Sequence, residues 1–133
     1  MALVSVTRLR VRSVWQLPRF FRHAIPSNLQ ARKAPGNLGV DLLNDAHFTF
    51  WTKTVWKDEA AMRAYMLSGA HRSAMSAIQE MASEASVVHW QQESVVAPDW
   101  QEAHRRMVES GRATRLKYPT ADHLAGEILP PRA

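Results

Sequence analysis

Apolar and polar residues alternate along Leu3–Val11, where β-branched valines and a threonine dominate, and this predicts a first strand. From Ser13 to about Lys33 the period changes. Leu17, Phe21, Ile25 and Leu29 recur every four residues, which predicts a helix with one apolar stripe and Ser13 as its N-cap. Pro26 either kinks that helix or starts a second segment. Ala34-Pro35-Gly36-Asn37 reads as a turn, Gly39–Leu43 as a short second strand, and Asn44-Asp45 as a tight turn. His47–Trp56 is the longest alternating stretch, so strands two and three form a hairpin.

Asp58 suits the N-cap of a helix that carries Met62, Tyr65 and Met66 on one side. Ser68-Gly69 interrupts it, and a second helical segment runs from Ala70 to about Glu84. Ala85–Ser94 predicts a fourth strand. Asp99 then caps a last helix through Ser110, with Gly111 as its C′ residue. Pro119, Gly126, Pro130 and Pro131 break up the C-terminal stretch, so residues 113–133 are expected as an extended arm, suited to wrapping a partner subunit.

The order β-α-β-β-α-β plus a C-terminal helix is an α+β, ferredoxin-like split unit, with two helices on one face of an antiparallel sheet. The expected division is a barrel domain at 1–112 and the arm at 113–133. Strand one offers Val4 and Val6 on one face and Leu3 and Leu9 on the other; strand three offers Phe48 and Phe50 against Trp51 and Val55. Both faces are apolar, and the helices cover only one. Two such sheets packed through the helix-free face would close a dimeric α/β barrel, so a homodimer is expected.

Composition narrows the class. With 46% apolar and 22% charged residues, the 133-residue chain is that of one globular domain. No apolar run reaches the roughly 18 residues of a membrane span. The chain has no cysteine, which excludes disulfides, thiolate metal sites and cysteine nucleophiles and fits a reducing, cytoplasmic compartment. Residues 1–40 carry seven basic residues and no acid, whereas 41–133 carry ten basic and twelve acidic ones. Because Ala2–Arg12 alternates as a strand and lacks a small-residue cleavage pattern, it reads as structure and not as a transit peptide. No recognition motif or aromatic platform accompanies the charge, so a solvated basic face is expected and no nucleic-acid partner. Trp15–Arg22 mixes aromatics with arginines and could rest on an anionic membrane, but covering the sheet is the favoured role.

The stretch Thr54–His71 carries a resemblance. A strand ending in Val55-Trp56, the acidic cap Asp58, Glu59 to Tyr65, and Ser68-Gly69-Ala70-His71 are similar to the dimeric α/β-barrel superfamily, and more narrowly to antibiotic-biosynthesis-monooxygenase-like and spheroidene-monooxygenase-like proteins. That resemblance implies a pocket between sheet and helices. It also implies a reaction drawn from cofactor-free quinol oxygenases, haem enzymes, isomerases or proteins without activity, since function lives in the site and not the fold. The quinol-oxidising members' strand-three tryptophan falls on Trp56, and the asparagine four residues before it falls on Thr52. The haem-degrading members' tryptophan and histidine fall on Tyr65 and Met75, so a haem-degrading site is not carried over.

His71 lies in the first turn of its helix, on the stripe 71, 74, 75, 78, 81, 82. The positive helix end lowers an imidazole pKa. A neutral ring there could accept a proton from a phenol or ligate haem iron; the alternative is a buried histidine bonded to a loop carbonyl. Phe50, Thr52, Thr54 and Trp56 share one strand face, and with Met62, Tyr65 and Met75 they would line an apolar pocket with a few polar handles. The same residues at these spacings also describe ordinary core. His23, His47, His89, His104 and His123 show no metal spacing, and no Gly-rich phosphate loop is present. The expectation is therefore a small monooxygenase-like protein acting on an aromatic or other apolar small molecule. His71 and Trp56 would be its catalytic residues, and it would hold no organic cofactor. The alternative is a non-catalytic dimeric barrel that binds a small ligand or haem.

Overall fold

The computed structural model describes residues 1–132. Its strands are β1 (Ala2–Val11), β2 (Asn37–Asp45), β3 (Thr49–Trp56), β4 (Ala82–Gln92) and the two-residue β5 (Arg112–Ala113). A 3₁₀ turn (Val14–Gln16) leads into α1 (Leu17–Lys33); α2 (Glu59–Met66), α3 (Gly69–Met81), α4 (Trp100–Ser110) and α5 (Ala121–Ala125) follow in turn. The sheet order is β2-β3-β1-β4-β5, and every pairing is antiparallel. This is the ferredoxin-like α+β fold expected, with β5 and α5 added. The basic N-terminus is the central strand, with Leu3 opposite both Trp56 and Gln91.

Register explains the two cores. On one face Leu3, Trp56 and Met62 form one cluster, while Leu9, Ala82 and Ala85 pack with Phe20, Phe50 and Ile78 in another; α1, α2 and α3 lie over this face. On the other face Val4, Val6, Trp51, Val55, Val88 and Trp90 pack against Ala103 and Met107 of α4. The face expected to be bare is thus covered by the chain's own C-terminal helix. Asp99 fixes where that helix starts, its Oδ1 accepting from the Glu102 amide at 2.8 Å. Lys53 projects into the same layer, donates to the Pro98 carbonyl and lies over the Trp100 ring at 4.1 Å.

Residues 112–132 also return onto their own chain instead of running free. Thr114 and Thr120 donate backbone N–H groups to Ala85 and Ser83, His104 Nε2 lies 2.8 Å from the Ile128 carbonyl, and Arg132 reaches Asp45. Ala133, the end of the expected arm, lies outside the described residues. Beneath this segment Arg8 and Glu84 form a buried ion pair at 2.6 Å, and Glu84 also accepts from Arg10 and from the Thr120 hydroxyl.

Four local expectations are corrected. The hairpin turn lies two residues later than Asn44-Asp45. His47 and Phe48 both sit at φ 58, Thr49 N–H donates to the Ala46 carbonyl, and the Asp45 carboxylate holds the Ala46 amide and the Trp51 indole N–H. The third helical segment stops at Met81 and β4 begins at once, placing Glu84 in a strand opposite Arg10. Gly111 is extended at φ −67, so its glycine answers a close approach; an added Cβ would stand 2.4 Å from the Met107 carbonyl oxygen. Finally, Ser13 caps only the 3₁₀ turn, without a side-chain bond, and Pro26 lies within α1 and does not start a second segment.

Candidate functional site

A cavity of about 310 Å³ opens between α1, α3 and the sheet face formed by β1, β2 and β3. Its floor includes Thr7, Leu9, Phe50, Thr52 and Thr54; Phe20, Ala24, Ser27 and Ala31 of α1 form one wall, and Ala74 and Ile78 of α3 form another. Tyr65 and His71 close one end. The α1 wall is the set Phe20-Ala24-Ser27-Ala31, spaced as one helical face. The strict four-residue repeat that stands out in the sequence drifts, because each step of four turns about 40° past a full circle. Phe21, Ile25 and Leu29 therefore move from the wall to the rim and are largely exposed.

Tyr65 anchors the closed end. Its ring stacks on Trp56 at 5.2 Å and meets the His71 ring at 4.4 Å, and its hydroxyl lies 3.0 Å from Ser27 Oγ and donates to the Ser27 carbonyl at 3.1 Å. Burial raises the Tyr65 pKa, opposed by the Ser27 hydrogen bond, so it stays a neutral phenol at physiological pH. Gln30 holds the helix junction together. Its Oε1 accepts from the His71 amide at 3.0 Å, and its Nε2 donates to the Ser68 carbonyl at 2.8 Å. Gly69 at φ 59 lets the chain pass close to that amide; a Cβ there would lie 3.0 Å from Gln30 Oε1.

The His71 backbone is therefore occupied while its ring remains available, since Nδ1 is buried without a hydrogen-bond partner. Burial lowers its pKa, with the Met66 backbone pulling the other way, so the ring is a neutral proton acceptor at pH 7. A neutral base and a neutral phenolic donor thus sit side by side at the end of an apolar slot. That arrangement can take a proton from a bound molecule and donate a hydrogen bond to the anion left behind.

Of the residues singled out in the sequence, the structure brings Phe50, Thr52, Thr54, Tyr65 and His71 to the cavity. It places three elsewhere. Trp56 is fully buried behind Tyr65, with its indole N–H donating to Thr54 Oγ1 at 2.9 Å. Met62 packs with Trp56 and Leu3 in the core. Met75 is 44% exposed on the outer side of α3. Thr54 has its hydroxyl committed to Trp56 and Ser5, which leaves Thr52 as the freer handle on the floor. Sequence reasoning missed Ser27, Gln30 and Asn28; the spacing Phe20-Ala24-Ser27-Ala31 was the available signal for the first. Among the described residues no group of three or more His, Asp or Glu side chains could hold a metal.

The fold has solved counterparts. SnoaB, a cofactor-independent oxygenase from Streptomyces nogalater, shares 15% identity and a TM-score of 0.58, over 74% of this chain and 98% of its own. A Nitrosomonas europaea protein described as an antibiotic biosynthesis monooxygenase matches at 16% identity and a TM-score of 0.61, over 69% of this chain and 90% of its own. A conserved Methanosarcina mazei protein matches at 14% identity and a TM-score of 0.61, over 70% and 94%. Independently, the sequence profile of the antibiotic biosynthesis monooxygenase family matches residues 19–77, from the first turn of α1 through most of α3. That profile match covers a little under half of the chain, and at these identities the solved structures establish the fold alone. The profile match spans the α1 wall, the β3 floor and the Tyr65–His71 end of the cavity. No curated protein matched the chain.

Proposed function

We propose that this chain is a small monooxygenase that oxidises an aromatic or other flat apolar molecule in the α1–α3 cavity, without a tightly held organic cofactor. The observation that carries the reading is the pairing of His71, whose buried Nδ1 has no hydrogen-bond partner, with the Tyr65–Ser27 hydroxyl pair at the end of an apolar slot. The slot suits a ring system because Phe20 and Phe50 stack at 4.7 Å along it. His71 takes the substrate proton, and the Tyr65 hydroxyl turns from the Ser27 carbonyl to donate to the oxyanion. The electron-rich anion itself reduces dioxygen, so that an activated CH₂ becomes C=O, one oxygen atom entering the product and the other leaving as water. Tyr65 provides the ring contact to the substrate, and Trp56 acts by supporting Tyr65. The description of SnoaB as a cofactor-independent oxygenase supports a cofactor-free reaction.

The proposal includes a homodimer in a cytoplasmic setting. With the far face of the sheet covered, the outer edge of β2 is the surface that fits a second copy, because its nine-residue strand pairs on one side only. The decisive experiment is oxygen uptake by the colourless protein with hydroxyarenes that bear an activated CH₂. Uptake that His71→Gln abolishes is the expected result. Ligand binding without uptake would leave a non-catalytic binding protein, and a Soret band on titration with haem would redirect the reading to haem.

A further inference from the structure

The outward side of α1 and the turn before it are unused by the proposed reaction. Trp15 is 86% exposed, Val14 52%, Ile25 57% and Leu29 51%. Basic residues flank this apolar strip. Arg22 and Lys33 form no ion pair among the described residues, and Arg32 bonds only to Asn28, its neighbour on the same helix. No acidic residue occurs before Asp41. Single exposed apolar residues need no explanation, but a contiguous strip rimmed by one sign of charge does. The strip is also continuous with the cavity, whose rim is Phe21, Ile25 and Leu29 of α1 and Leu42 of β2.

We propose that α1 and its leading turn dock this protein on an anionic lipid surface, with the cavity mouth turned toward the bilayer. An interfacial helix needs an apolar face that enters the acyl boundary and cations at headgroup level, and α1 supplies both. Trp15, at the N-terminal end, is the residue type that sits at the headgroup boundary. Nucleic acid would use the cations but leave Ile25, Leu29 and Val14 in water, so lipid accounts for more of the surface. Entry of an apolar substrate from the bilayer rests on the cavity reading above; surface binding does not.

The test is flotation of the full chain with vesicles, without any substrate. Vesicles of phosphatidylcholine with about one-third phosphatidylglycerol should carry the protein at low salt and release it in high salt, as screening requires. Vesicles of phosphatidylcholine alone should not. Each basic residue near such a surface contributes roughly fivefold in affinity, so Arg22→Gln with Lys33→Gln should weaken binding about 30-fold. Neither side chain lines the cavity, so melting and oxygen uptake should stay unchanged. The other four tryptophans are largely buried, so a blue shift of emission on binding should report Trp15 and vanish in Trp15→Phe while flotation persists. No flotation with anionic vesicles, or undiminished flotation of the double variant, overturns the proposal. Two further results would also overturn it: binding to a single-stranded oligonucleotide in preference to vesicles, or a dimer that Ile25→Glu dissociates.

Discussion

His71 has its backbone amide on Gln30 and its ring against Tyr65, so the chemistry of the ring can be removed without undoing the helix start. His71→Gln is expected to fold normally and to lose about 100- to 10,000-fold in oxygen-uptake rate, the usual contribution of a general base. The same burial gives a stability signature. His71 and His89 both have pKa values lowered by desolvation, so the unfolded chain takes up protons at about pH 6.5, where the folded chain does not. Stability is therefore full above that value and falls as the pH is lowered through it. The melting temperature should be lower near pH 5.5 than near pH 7.5, and the double change to glutamine should flatten the difference. Trp56→Ala should cost about 3–5 kcal/mol in urea unfolding, because it empties the space under Tyr65. The cavity positions Phe50, Thr52, Thr54, Tyr65 and His71 were legible from strand alternation and one motif. The depth of Trp56 was not legible, because alternation gives the face of a strand but not how far below the cavity a side chain lies. Gln30 was invisible because its partners lie 35 or more residues away, and Ser27 showed only in the spacing of the α1 wall.

Elements were legible where local signals agree with tertiary need. Asp58 and Asp99 cap the helices expected of them, with side-chain bonds of 2.8 Å. The boundary at Met81 was missed because residues 82–84 have no strand alternation of their own, and Ala82 and Glu84 gain strand geometry from pairing with β1. The buried Arg8–Glu84 pair makes that boundary testable. Burial pushes the Glu84 pKa up, but hydrogen bonds from Arg8 and Thr120 and the charges of Arg8 and Arg10 outweigh it, and the net shift is downward. Glu84→Gln leaves the Arg8 charge buried without its partner and should destabilise the fold by about 3–5 kcal/mol, measured by urea unfolding. Gly111→Ala should cost about 1–3 kcal/mol by crowding the Met107 carbonyl, although its φ is ordinary.

At the scale of the whole molecule, strand order and the helix-covered face could be read from the sequence, whereas the fate of residues 96–132 could not. Nothing in a Pro- and Gly-rich tail announces that it will fold back over Arg8 and Glu84, or that α4 will occupy a face two apolar sheets might otherwise share. The central position of β1 has a further consequence, for the order of events during synthesis. Ala2–Val11 leaves the ribosome before either of its partners, Thr49–Trp56 and Ala82–Gln92. Until the second partner emerges, the nascent chain carries an unpaired, β-branched strand with one edge open. The three arginines spaced along Arg8–Arg12 put like charges on that edge and discourage two nascent copies from pairing with each other. The charge that partly pairs with Glu84 in the finished fold thus guards the chain during the interval before it has one.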